Sequence, residues 1–209
     1  MQNAEIGRGA DLLCGAEFRA KEDDYVRITV RKLTHMAILT AAALIVFIIE
    51  AQIPLPLPLP GAKLGLANTV TLFALFWKQE YSGSPTAPDK RGYLRASLTV
   101  PEVFMVLVCR IILGAVFTGR IIAFFYSAAG GMLAFAVQAA MKKIVSNKQI
   151  WACGAVGAIF HNIGQIIAAV LITGTQSIAA YLPALIAAGI VTGIITGLIT
   201  QFAIERLAG

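Results

Sequence analysis

Arg110 stands in the middle of "VFMVLVCRIILGAVF", with about two apolar helical turns on either side. A guanidinium keeps its charge and offers a planar fork of donors that matches a carboxylate or a phosphate. Glu50, in "IVFIIEAQI", is the acid candidate nearby. "FHNIGQ" adds His161, Asn162 and Gln165; "PGAKLGLANTV" adds Lys63 and Asn68. His161 and Gln165 are four apart and share a helix face, whereas Asn162 lies about 100° around from His161. Polar groups in apolar helices are costly and face a bundle interior or a wet cavity. Gathered at one depth, Lys63, Asn68, Arg110, His161, Asn162, Gln165 and Glu50 would make a pocket for a small anionic or polar solute. Lys63, Arg110 and His161 would neutralise it; Asn68, Asn162 and Gln165 would orient it.

Each residue also has a structural role open to it. Arg110 can lock onto Glu50, and His161 can sit satisfied in a core. Asn68 and Gln165 can join helices, and Lys63 can snorkel at a boundary. Other chemistry lacks its residues. No P-loop is present, and no Asp-rich pair at helical spacing holds Mg²⁺ on a diphosphate; Asp23 and Asp24 lie in a polar tail. Cys14, Cys109 and Cys153 are far apart and show no metal-ligand spacing. The expectation is no metal, no cofactor and no catalytic residue.

The elements that must carry these groups follow from composition. The 209 residues are 58% hydrophobic and 13% charged, with mean hydropathy +0.78 and net charge +6. A soluble domain is nearer one quarter charged. The apolar runs predict an all-α membrane bundle with six spans, at about 33–53, 64–77, 98–119, 121–141, 150–173 and 178–204. The second is short, about 21 Å at 1.5 Å per residue against a core of about 30 Å. Residues 1–32 form a polar tail that is no cleavable signal peptide, and 33–209 form the membrane domain.

Cations set the orientation. Arg27, Arg31, Lys32, Lys78, Lys90, Arg91, Arg95, Lys142, Lys143, Lys148 and Arg206 flank one side, with only Lys63 and Arg120 on the other. The positive-inside bias places both termini in the cytoplasm. It assigns the Lys and Arg to membrane topology rather than to nucleic acid. The stretch "QIPLPLPLPGAK" then lies outside. Its alternating prolines favour extended backbone with few donors, which suits a stiff lid ending in Lys63. Gly189, Gly193 and Gly197 make a small-residue stripe for close helix packing, and Ala37 and Ala41 repeat that spacing near the inner end of the first span.

"PGAKLGLANTVTLFAL", the Arg followed by "IILG", and "GAVGAIFHNIGQIIAA" resemble the Gx transporter family, also labelled heptaprenyl diphosphate synthase component I. More distantly they resemble the S-components of energy-coupling factor (ECF) transporters. The resemblance covers about residues 33–207. It implies a six-helix S-component fold, a solute held in the outer half under the loop between the first two helices, and Ala37 and Ala41 docking a transmembrane coupling subunit driven by ATPases. The expected function is capture of a small anionic solute, with an isoprenoid-pathway precursor implied by resemblance, at a bacterial plasma membrane. Two alternatives stand beside it: a membrane accessory subunit of heptaprenyl diphosphate synthase, and an autonomous small permease.

Overall fold

The computed structural model describes residues 30, 32–52, 63–77, 98–119 and 121–207. The polar tail up to residue 29, the proline segment 53–62, the polar loop 78–97 and Arg120 lie outside the described residues, and with them the lid expected at 53–62. The chain divides into two units, Met1–His35 and Met36–Gly209. In the first, the described residues are helical, and Thr34 Oγ1 donates to the Val30 carbonyl at 3.0 Å.

Six helices are described: α1 (Lys32–Gln52), α2 (Asn68–Phe76), α3 (Val100–Thr118), α4 (Ile121–Met141), α5 (Ile150–Thr173) and α6 (Leu182–Leu207). No strand occurs among the described residues. Helix ends match local chemistry. Pro101 lies in the first turn of α3, where Glu102 reaches back to accept the Thr99 N–H at 2.6 Å. Gly119 and Gly174 close α3 and α5 in the left-handed conformation. Short 3₁₀ turns at Asn147–Gln149 and Gln176–Tyr181 lead into α5 and α6. The latter turn delays the start of α6 to Leu182, against an expected 178.

Among the described residues, five helical segments are long and apolar enough to cross a membrane: Lys32–Gln52, Val100–Thr118, Ile121–Met141, Ile150–Thr173 and Gln176–Leu207. The expected second span, 64–77, is helical only over the nine residues of α2, about 14 Å. That is less than half a bilayer core. Its burial explains how so short a helix persists. Leu72, Ala74, Leu75 and Phe76 are buried, and α2 packs on α3, α4, α5 and α6. Non-helical backbone at membrane depth is tolerated where protein surrounds it.

The bundle is inverted relative to a soluble protein. Large apolar side chains such as Ile45, Met105, Val116, Leu171 and Phe202 are exposed, while Glu50, Arg110, Gln138, His161 and Gln165 are buried. One apolar core joins α1, α2, α3, α5 and α6 through Leu39, Leu72, Leu107, Ile150 and Ile204. Glycines let the helices approach. A Cβ on Gly193 would stand 2.7 Å from the Ala155 Cα, and one on Gly197 2.6 Å from the Trp151 Cα. Gly189 meets the Asn162 amide, so the whole 189–193–197 stripe faces α5. Gly164 of α5 packs as closely on Ala129 of α4.

Candidate functional site

The site is organised by the non-helical stretch 63–67 that enters α2. An irregular segment leaves backbone groups unmatched, and buried ones must find partners. Two side chains from distant helices supply them. Glu50, near the end of α1, accepts the Gly65 N–H at 2.5 Å and the Leu66 N–H at 3.1 Å. Gln165 of α5 accepts the Lys63 N–H on Oε1 at 3.1 Å and donates from Nε2 to the Lys63 carbonyl at 2.9 Å. Its amide thus satisfies both backbone groups of one residue, as a neighbouring strand would.

The same amide nitrogen lies 2.5 Å from His161 Nε2. Because Oε1 accepts from Lys63, this nitrogen is the NH₂ donor, so His161 Nε2 accepts. The imidazole is therefore neutral and carries its proton on Nδ1, which lies against Gly130. Gly65 closes this corner. Its φ of +80° favours glycine, and a Cβ there would sit 2.8 Å from His161 Cδ2.

Lys63 and Arg110 bring the charge. The Lys63 ammonium sits over the Phe47 ring, 2.9 Å from its centroid. Gly114 makes room for that ring, since a Cβ there would be 2.6 Å from Phe47 Cε1. Arg110 is 2% exposed and donates from Nη2 to Asn68 Oδ1 at 3.3 Å, while its Nε has no hydrogen-bond partner among the described residues. No ion pair joins Arg110 to Glu50, whose hydrogen bonds go to Gly65 and Leu66. The lock considered for that pair is absent as a direct contact.

The structure therefore brings Glu50, Lys63, Asn68, Arg110, His161 and Gln165 together. Asn162, expected to orient the solute, instead turns toward α6, because it lies about 100° around the helix from His161. Its Nδ2 donates to the Leu185 carbonyl of α6 at 2.6 Å. Gln165 holds backbone and histidine rather than an open face. Ala37 and Ala41 are exposed on α1. No group of three or more His, Cys, Asp or Glu side chains able to hold a metal occurs among the described residues.

Sequence reasoning passed over Gln138, Thr69, Thr192 and Thr196. Gln138 is 2% exposed on α4, with its amide against Gly157 and its backbone carbonyl near the Cys153 thiol. A lone amide in "AFAVQAAM" was the available signal; a polar group inside a span points inward.

The sequence model of one family, described as heptaprenyl diphosphate synthase component I, matches residues 39–82 and 95–203. The matched segments contain all seven polar residues singled out for the pocket: Glu50, Lys63, Asn68, Arg110, His161, Asn162 and Gln165. No curated protein and no solved structure matches the chain.

Proposed function

The chain belongs to the heptaprenyl diphosphate synthase component I family, and we propose that it is a membrane component that captures a small anionic solute at the buried Lys63–Arg110 cluster. The observation that carries this is Arg110: a guanidinium 2% exposed, hydrogen-bonded to a neutral amide, with no carboxylate on it. Burying a charge without a partner is expensive, and removal of a counter-charge typically costs several kcal/mol. An anion reaching the fork, with Lys63 nearby, supplies the missing charge. Lys63 and Arg110 outnumber Glu50, so the cluster is net cationic while His161 is neutral.

In this reading the protein is a multi-pass component of a bacterial plasma membrane, with both termini cytoplasmic, six membrane-embedded helices and α2 as the half-length one. It acts as an S-component does in an energy-coupling factor transporter. The exposed Ala37 and Ala41 dock a transmembrane coupling subunit, and ATPase subunits supply the energy. The family description and the cationic pocket together favour a phosphate-bearing solute, an isoprenoid-pathway precursor among them. In this reading the chain binds and delivers the solute and is no enzyme itself.

Binding of phosphate and pyrophosphate to the full chain in lipid nanodiscs tests this, using Arg110→Ala and His161→Ala variants that remain folded. Arg110→Ala should abolish binding, and His161→Ala should weaken it by disturbing Gln165 and Lys63. Equal affinity in both variants and the parent would sink the site assignment. The family description favours a second reading, a membrane accessory subunit of a polyprenyl diphosphate synthase. That reading requires co-purification with a soluble Asp-rich synthase and a rise in its activity on adding this chain.

A further inference from the structure

Residues 64–66, together with residues of α2, α4, α5 and α6, line a small pocket that lies beside the Lys63–Gln165 pairing and contains neither of those two residues. Asn68, Thr69, Gln138, Thr192 and Thr196 supply its polar wall. Its free space is about 10 Å³ for the centre of a water-sized sphere, close to what one water needs. Three polar atoms of these residues are buried with no hydrogen-bond partner among the described residues: Gln138 Oε1, Asn68 Nδ2 and Thr69 Oγ1. Gln138 is 2% exposed and Asn68 7%. Buried polar groups are rarely left so, and three around one void point to an occupant.

The mix of atoms selects its chemistry. Gln138 packs its amide nitrogen on Gly157, which leaves Oε1 as an acceptor seeking a donor. Asn68 gives Oδ1 to Arg110, which leaves Nδ2 as a donor seeking an acceptor. An anion cannot donate to Gln138. A metal cation would meet the Asn68 NH₂, with the Arg110 guanidinium on the same side chain and no carboxylate in the wall. One uncharged oxygen that both donates and accepts fits all three atoms. The Thr192 and Thr196 hydroxyls donate to the Ala188 and Gly193 carbonyls, which leaves their oxygens free to accept.

We propose that this cavity is a second, uncharged site for a single hydroxyl-type oxygen, held between Gln138 Oε1 and Asn68 Nδ2. The oxygen comes either from a bound water or from a hydroxyl of the solute itself. Through Asn68 it orients the acceptor on which Arg110 rests, and so couples α4 to the cationic cluster. The solute-hydroxyl source rests on the proposed anion capture; the water source does not.

The test has two arms. A solute-free structure of the full chain in lipid, at a resolution that shows ordered waters, reports a water directly. Affinities for phosphate and glycerol 3-phosphate, in the parent and in Gln138→Leu, report a solute hydroxyl. A peak within hydrogen-bond distance of Gln138 Oε1 and Asn68 Nδ2 supports the water. A dry cavity, with Gln138→Leu weakening glycerol 3-phosphate about tenfold while phosphate is unchanged, supports the hydroxyl. A dry cavity with no such selectivity overturns the site. If neither probe binds the parent, anion capture fails while the density still decides this inference. Thr69→Val, nearly isosteric, should reproduce the Gln138→Leu effect in weaker form if the larger change impairs folding.

Discussion

Gln165 is the residue whose removal should say most about how the site is held. Gln165→Leu keeps the side chain's approximate size and removes its hydrogen bonds. Three buried groups then lose a partner: the Lys63 N–H, the Lys63 carbonyl and His161 Nε2. Each unsatisfied buried group costs about 1–3 kcal/mol. The sum is not additive, and it is limited by the free energy needed to release residues 63–66 from the bundle. A net loss of about 2–4 kcal/mol for this segment is the expected scale, since local openings lie below global unfolding. At about 1.4 kcal/mol per tenfold, amide exchange at Lys63, Gly65 and Leu66 should quicken by roughly 30- to 700-fold. Exchange in the middle of α4 should not change. Hydrogen exchange read by mass spectrometry in nanodiscs measures both. Gln165→Glu keeps an acceptor for the Lys63 N–H but sets a carboxylate against the Lys63 carbonyl, so it should not rescue. Unchanged exchange at 63–66 in Gln165→Leu would refute the claim that this amide pins the segment.

Three further outcomes follow from the same contacts. Gly65→Ala should lower the melting temperature more than Gly119→Ala. Both positions have positive φ, which costs a non-glycine about 1–2 kcal/mol, but a Cβ at 65 meets His161 while one at 119 meets nothing within 4 Å; equal losses would remove the His161 contact from the explanation. Glu50→Gln should cost about 1–3 kcal/mol in chemical denaturation, because two charge-assisted hydrogen bonds become neutral ones, and it should tighten phosphate binding by removing the cluster's anion. Ala41→Leu, on an exposed position, should leave the isolated chain within about 0.5 kcal/mol of the parent yet prevent co-purification of a coupling subunit; a complex that survives the change argues against docking through α1.

The long apolar runs were legible because a bilayer demands them. α4 and α5 begin and end where the apolar stretches do, at Ile121–Met141 and Ile150–Thr173. α2 was harder. Its stability comes from burial among four helices, so its helical length does not follow from the length of its apolar run. The partnership of Arg110 with Asn68 was also hidden, because residues 42 apart in sequence meet only through tertiary packing. Charge pairing made Glu50 the natural candidate for Arg110. The irregular backbone at 65–66 competes for the same carboxylate and takes it. Periodicity showed the offset of Asn162 from His161, yet depth alone grouped it with His161 and Gln165 in one pocket. What it lacked was the position of α6, which turns that offset into a contact with Leu185. Gln138 lies three residues before the end of α4, and the packing of α5 against it makes it interior.

The central claim is that the buried Lys63–Arg110 cluster holds a small anion. Native mass spectrometry of the full chain released from lipid nanodiscs, in parallel with Arg110→Gln, tests it most directly. Arg110→Gln keeps a donor for Asn68 but removes the charge. The parent should carry a co-purifying anionic small molecule, or bind added pyrophosphate at one site, and Arg110→Gln should carry neither. A parent that binds no anion, or a folded Arg110→Gln variant that retains it equally, contradicts the claim.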